Sequence, residues 1–269
     1  MPNRTSTHPG TAIVTGASSG IGKVYAERLA ARGYDIVLVA RREDRLREIA
    51  ADLRSRFPIR ADVLVADLCE PGGVLAVRDR LTDDAVSLLV NNAGFSALKT
   101  LTETPDEVAI RMIALNVTAL TLLSKAALVA FKARGQGTLV NVGSGAGFAP
   151  YPGIPVYGAT KAYVYLFTQS LQSEVADTNI RVQLVLPGAV VSEGWDVAGG
   201  AALEALPDSI VMTTEDCVDA ALSGLDRGER VTAPSLQDEA ALRAYETDTA
   251  ALLQAMFDAR PAERYELGR

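Results

Sequence analysis

Thr11-Ala12-Ile13-Val14-Thr15-Gly16-Ala17-Ser18-Ser19-Gly20-Ile21-Gly22 is the stretch that decides the fold. Its first five residues are small or β-branched and read as a strand. Glycines follow where a backbone must turn tightly, and where it must approach a ligand without a Cβ in the way. An amphipathic segment then begins, so the loop opens a helix whose free N–H groups and partial positive charge suit a pyrophosphate. A glycine-rich turn alone is a weak signal; one placed after the first strand of an alternating α/β pattern is a strong one.

Outward from this stretch the alternation continues. Short runs rich in Val, Ile, Leu and Ala predict strands at 11–15, 35–40, 61–66, 87–90, 138–142, 181–186 and 230–233. They are nearly continuous in apolar residues, as parallel strands covered on both faces should be. Helical segments are expected at 21–31, 43–56, 73–81, 105–133, 156–176 and 214–225. The pattern predicts an α/β fold, a single doubly wound parallel sheet of about seven strands flanked by helices on both faces. The domain is expected over 11–269, after a loosely held leader at 1–10. A long connection at 188–213 reads as a substrate loop, and 235–269 as a helical tail.

Composition excludes several classes. The chain of 269 residues has a formal net charge of −7, so nucleic acid or an anionic membrane surface would repel it. No continuous apolar run reaches the roughly 18 residues of a membrane span, and no signal peptide is apparent. Cys69 and Cys217 fit no metal-ligand spacing and read as thiols of a reducing cytoplasm. His8 is the only histidine, which argues against a Ser-His-Asp hydrolase and a histidine-ligated zinc site; no metal is expected.

Gly22-Lys23 resembles the end of a nucleoside-triphosphate loop, but that motif requires Gly at 17 and Ser or Thr at 24, where Ala17 and Val24 stand. The end of the second strand separates the two nicotinamide cofactors. An acid there would hold the adenosine ribose and repel a 2′-phosphate. Ala40-Arg41-Arg42 instead offers guanidinium forks, which favours NADP(H) over NAD(H).

Tyr157-Gly158-Ala159-Thr160-Lys161 puts a phenol and an ammonium on one helix face. The ammonium, with the charge of an oxidised nicotinamide, should lower the phenol's pKa and make Tyr157 a proton donor and acceptor for a carbonyl oxygen.

Together these motifs resemble the short-chain dehydrogenase/reductase family over about residues 11–233. The resemblance is carried by Thr15 to Gly22, Asn91-Asn92-Ala93-Gly94, Asn116, Ser144, Tyr157, Lys161 and Pro187-Gly188, in family order and spacing. It implies a Rossmann fold with strand order 3-2-1-4-5-6-7 and a homodimer or homotetramer paired through the long helices. Catalytic roles are implied for Asn116, Ser144, Tyr157 and Lys161: Ser144 binds the substrate oxygen, Tyr157 moves the proton, and Lys161 binds the ribose and tunes the tyrosine. Asn116 holds, through its backbone, a water that links Lys161 to solvent.

The same resemblance implies that Gly16, Ser18, Ser19, Gly20, Ile21, Gly22, Arg41 and Arg42 hold the cofactor. Asp67 and Leu68 contact the adenine, and Asn92, Ala93 and Gly94 the adenosine ribose, with Asn91 or Asn92 bracing the central strand. Pro187, Gly188, Val190 and Ser192 reach the nicotinamide and diphosphate. Phe95, Phe148, Tyr151, Ile154, Trp195 and Val197, with Ser144, would face the substrate, an apolar set suited to a hydrophobic ketone, aldehyde or alcohol. A 3-oxoacyl thioester reductase and a non-catalytic cofactor-binding sensor stay open as alternatives.

Overall fold

In the computed structural model, which describes residues 8–191 and 206–265, the chain divides into two compact units, Met1–Ser235 and Leu236–Arg269. The first is built on a parallel sheet of seven strands: β1 (Thr11–Thr15), β2 (Asp35–Ala40), β3 (Ala61–Val65), β4 (Val86–Asn91), β5 (Gly137–Val142), β6 (Ile180–Val185) and β9 (Val231–Thr232). Their order is β3-β2-β1-β4-β5-β6-β9, the expected winding. It reverses between β1 and β4, whose carboxyl ends therefore flank the crevice where such sheets bind ligands.

The continuous apolar strands have a direct reason. Ala12, Val14, Ile36 and Leu38 point to one face and pack with Val24, Leu29, Leu46 and Leu53 of α1 (Gly20–Ala31) and α2 (Glu43–Arg56). Their neighbours Ile13, Val37 and Val39 point to the other, against α3 (Pro71–Leu81), α5 (Leu120–Arg134) and α6 (Pro155–Glu174). Side chains alternate across a strand, so a sheet covered twice must be apolar at every position. On the first face α7 (Thr214–Asp226) adds Val218, Ala221 and Leu222.

Three details depart from the sequence reading. The single helix expected at 105–133 is α4 (Asp106–Ile113) and α5 joined by a π-helical turn, Ala114–Ala119, with Asn116 inside it. The connection after β6 forms a small parallel pair of its own, β7 (Ala189–Val190) on β8 (Val211–Met212). Ser192, Trp195 and Val197 lie outside the described residues. Helical residues Asp106–Arg134 also form, by length and composition, a stretch apolar enough to cross a membrane, against the expectation of none. Its apolar side is a core face: Leu123, Ala127 and Phe131 pack under the sheet. The second unit holds α8 (Glu239–Ala255), none of whose residues is buried.

Candidate active site

The glycine loop is shaped by β1 and β4. Gly16 has φ +68°, a conformation other residues rarely adopt, and a Cβ on Gly22 would lie 2.4 Å from the Gly16 carbonyl oxygen and 2.6 Å from Asn92 Nδ2. Thr15, the first residue of the loop motif and given no role of its own from the sequence, staples the two strand ends together. Its hydroxyl accepts from the N–H groups of Asn92 and Ala93, both at 3.0 Å, and donates to the Val90 carbonyl at 3.2 Å. Asn92 Nδ2 donates to the Thr15 carbonyl at 2.9 Å. Asn91 turns the other way, to Ser124 Oγ and Asn141 Oδ1 (each 3.1 Å). Both asparagines brace, on opposite sides of β4.

At the end of β2, Arg42 is drawn over this loop. Its Nη2 donates to Ser18 Oγ at 2.9 Å and Ser19 Oγ at 2.7 Å. Arg41 projects outward, 67% exposed, with Nη1 4.0 Å from Asp67 Oδ2. Partial burial works to raise the Asp67 carboxyl, but hydrogen bonds from the Cys69 N–H and from Arg111 hold it below the usual range. The Leu68 side chain is buried with Val39, Val74 and Val77 under the sheet. An adenine contact at Leu68, as the sequence leads one to expect, would therefore be made by its backbone.

The four candidate catalytic residues converge at the ends of β4 and β5. Asn116, buried in its π-turn, accepts from Phe95 N–H at 3.1 Å and donates to the Phe95 carbonyl at 3.0 Å and to Thr160 Oγ1 at 3.1 Å. Thr160 lies between Tyr157 and Lys161 on α6, so one side chain ties the loop after β4 to the catalytic helix. Lys161 is 6% exposed and donates from Nζ to the Val142 carbonyl at 2.9 Å. Burial lowers its pKa to about 8, which leaves it mostly cationic at neutral pH.

Tyr157 stands one turn earlier, its ring centroid 5.7 Å from Lys161 Nζ. Burial raises its phenol above the ordinary value, and the hydrogen bond with Ser144 works against that. The net direction in the polypeptide alone is thus upward, because desolvation of the anion outweighs that hydrogen bond; the lowering expected from the sequence included the charge of an oxidised nicotinamide. Ser144 is itself set by a short turn: its Oγ accepts from Ala146 N–H at 3.1 Å. The Gly145 N–H reaches across to the Pro187 carbonyl at 2.9 Å, fixing Pro187-Gly188 beside the same loop.

Of the apolar candidates, Phe148 packs edge-on to Tyr165 at 5.0 Å against a small core cluster and is held as a wall. Ile154 is buried, Phe95 half-buried and pinned through its backbone, and Tyr151 is 67% exposed. Val190 sits in β7, beyond Pro187-Gly188.

The arrangement suits a nicotinamide dinucleotide. A Cβ on Gly94 would lie 3.1 Å from Asn116 Oδ1 and 3.7 Å from Lys161 Nζ, so the missing side chain leaves a cradle beside the ammonium. Lys161 has donors beyond its one bond to Val142, as ribose hydroxyls require. Among the described residues no group of His, Cys, Asp and Glu could hold a metal ion.

Residues 10–198 match the short chain dehydrogenase family. A short-chain dehydrogenase from Sphingobium yanoikuyae in complex with NADPH is 43% identical, with a TM-score of 0.91 over 95% of this chain and 100% of that one. The bulky-bulky ketone specific alcohol dehydrogenase from Comamonas testosteroni is 38% identical, with a TM-score of 0.88 over 96% of this chain and 99% of that one. Inactive hydroxysteroid dehydrogenase-like protein 1 of Homo sapiens is 35% identical over 179 residues, 65% of this chain and 54% of that protein. The chain thus spans about half the length of this curated relative.

Proposed function

The chain belongs to the short chain dehydrogenase family of NAD(P)-dependent oxidoreductases, and on that premise we propose that it interconverts hydrophobic ketones or aldehydes and their alcohols with NADP(H). The observation that carries the reading is the convergence of Ser144, Tyr157, Lys161 and Asn116 at the carboxyl ends of β4 and β5, linked through Thr160 and Phe95.

The nicotinamide supplies or accepts hydride. The polypeptide's part is to hold the carbonyl and manage its proton. Ser144 donates a hydrogen bond to the substrate oxygen, and the Tyr157 hydroxyl, on the same side, gives up its proton as negative charge develops there. Lys161 stabilises the resulting phenolate and binds the ribose hydroxyls. Asn116 keeps the helix bearing both residues in register with the loop after β4, and its backbone carries a water linking Lys161 to solvent. In the direction of alcohol oxidation Tyr157 accepts the proton, so the rate rises with pH.

NADP(H) is favoured by the arginines at the end of β2, with Arg42 tied to Ser18 and Ser19 and no acid in the position that would hold a ribose 2′-hydroxyl. The substrate class is supported by the apolar wall of Phe95, Phe148 and Ile154, and by the neighbour named for bulky ketones. Likeness to a protein named inactive raises the sensor alternative, but a chain released from catalysis has no reason to keep all four groups together at the ends of β4 and β5. A panel of ketones, aldehydes, alcohols and 3-oxoacyl thioesters, followed by nicotinamide absorbance with both cofactors, tests the reading. Turnover of a bulky ketone with NADPH supports it; turnover of thioesters alone, or of nothing with cofactor bound, selects one of the alternatives.

Exposed apolar side chains on α4, α5 and α6 (Ile110, Ile113, Val129, Leu166) form the face expected to pair with a second copy. Light scattering should find a dimer or tetramer. The free thiols of Cys69 and Cys217 fit a cytoplasmic setting.

A further inference from the structure

We propose that Arg111 is a specificity-determining positioning residue of the cofactor site: by engaging the Asp67 carboxylate it keeps Arg41 available for a 2′-phosphate. The proposal rests on the reading of Asp67 and Arg41 as groups at the adenosine end.

Arg111 lies in the last turn of α4, far in sequence from Asp67, and its Nη2 donates to Asp67 Oδ2 at 3.1 Å. That same oxygen is 4.0 Å from Arg41 Nη1. The other carboxylate oxygen, Oδ1, accepts from the Cys69 N–H at 2.9 Å. A second tie joins the segments, from Cys69 Sγ to the Arg111 carbonyl at 3.7 Å. Asp67 thus faces two guanidinium groups and is committed to one of them.

Without Arg111 the carboxylate would have Arg41 as the remaining cation among its contacts in the described residues. A 2′-phosphate would then compete with Asp67 for the Arg41 fork and lie beside an uncompensated negative charge. A ligand lacking that phosphate would feel neither effect. Arg111 therefore bears on the choice between the two cofactors although nothing in its own sequence neighbourhood points to that site.

The test uses ligands that carry only the adenosine end. Calorimetric titration of the whole protein with 2′,5′-ADP and with 5′-AMP gives a binding preference independent of turnover. The wild type should prefer 2′,5′-ADP, and Arg41→Met should remove most of that preference. Arg111→Met should lower it about three- to tenfold. In an Asp67→Asn background, where no carboxylate can capture Arg41, Arg111→Met should leave the preference nearly unchanged. An equal fall in both backgrounds would make Arg111 merely a nearby positive charge and overturn the proposal, as would no fall in either. If the wild type shows no preference, or Arg41→Met leaves it intact, the NADP(H) reading itself fails and takes this proposal with it. A preference that depends on Arg41 but ignores Arg111 defeats the proposal alone.

Discussion

The two halves of the sheet are built from different materials. Around β1, β2 and β3 the interior is mostly aliphatic, with the buried Tyr25 among it, and the site at the strand ends is made of backbone: glycines, N–H groups, and arginines reaching in from outside. Around β4, β5 and β6 the interior carries polar side chains. Asn91, Ser124, Asn141 and Thr168 form a buried hydrogen-bonded chain across β4 and β5, where Asn91 and Asn141 are register partners. Asn116, Thr160 and Lys161 form a second cluster beside it. Binding a dinucleotide needs close backbone approach, which shape alone provides. Moving a proton needs titratable groups held still in low dielectric, and each must be paired because an unpaired buried polar atom is costly.

The contrast can be broken most decisively at Tyr157. Tyr157→Phe keeps the ring and its packing, so cofactor should still bind, while turnover falls at least ~100-fold. Near-normal turnover by steady-state assay would end the proposed mechanism.

Asn141→Leu should cost about 2–4 kcal/mol in denaturant unfolding, because Asn91, Ser124 and Thr168 lose a shared partner inside the core. A loss well below that would mean the polar half is no more demanding than the aliphatic one.

Lys161 should act in the opposite sense on stability. Its pKa falls from 10.5 to about 8 on folding, so the native state binds fewer protons than the unfolded chain between those values, and stability rises with pH from about 8. Above about 10 the raised Tyr157 phenol opposes this, since the folded state then retains a proton that the unfolded chain releases. Lys161→Met should abolish turnover yet be more stable than the wild type by about 1–3 kcal/mol below pH 8, the gap closing between 8 and 10. Unfolding midpoints measured across that range would show it. A variant less stable than the wild type at pH 7 contradicts the idea that this cation is held at a cost.

In the cofactor half, Arg41→Ala should raise the KM for NADPH about ten- to a hundredfold and scarcely change that for NADH, the value of a charge-assisted contact of about 1.5–3 kcal/mol. Smallest should be Ile36→Val within the aliphatic core, about 0.5–1.5 kcal/mol in the same unfolding assay.

Much of this molecule was legible in its residues, because local rules generate it. Strand, glycine loop and helix over Thr11 to Gly22 follow from β-branching, positive φ and helix termini, and the apolar strands announced a sheet covered twice. Tyr157 and Lys161 lie one helical turn apart, so their proximity could be counted off the chain.

Other features belong to the tertiary structure alone. Arg111 reaches Asp67 across 44 residues, Asn116 reaches Thr160 across another 44, and Asn92 reaches Thr15 across 77. Nothing local marks such pairs, since any exposed arginine or helical asparagine looks the same in sequence. The π-turn at Ala114–Ala119 is of this kind: its residues would suit an unbroken helix, and the wider turn sits where Asn116 bonds both backbone groups of Phe95. The direction of the Tyr157 shift was also decided there. Sequence shows that an ammonium is near, but only packing determines how much water the phenol loses, and desolvation outweighs the opposing hydrogen bond with Ser144. Periodicity and short-range chemistry were enough to specify the elements and their order, while the balance of charges in the site depends on partners that meet only once the sheet has formed.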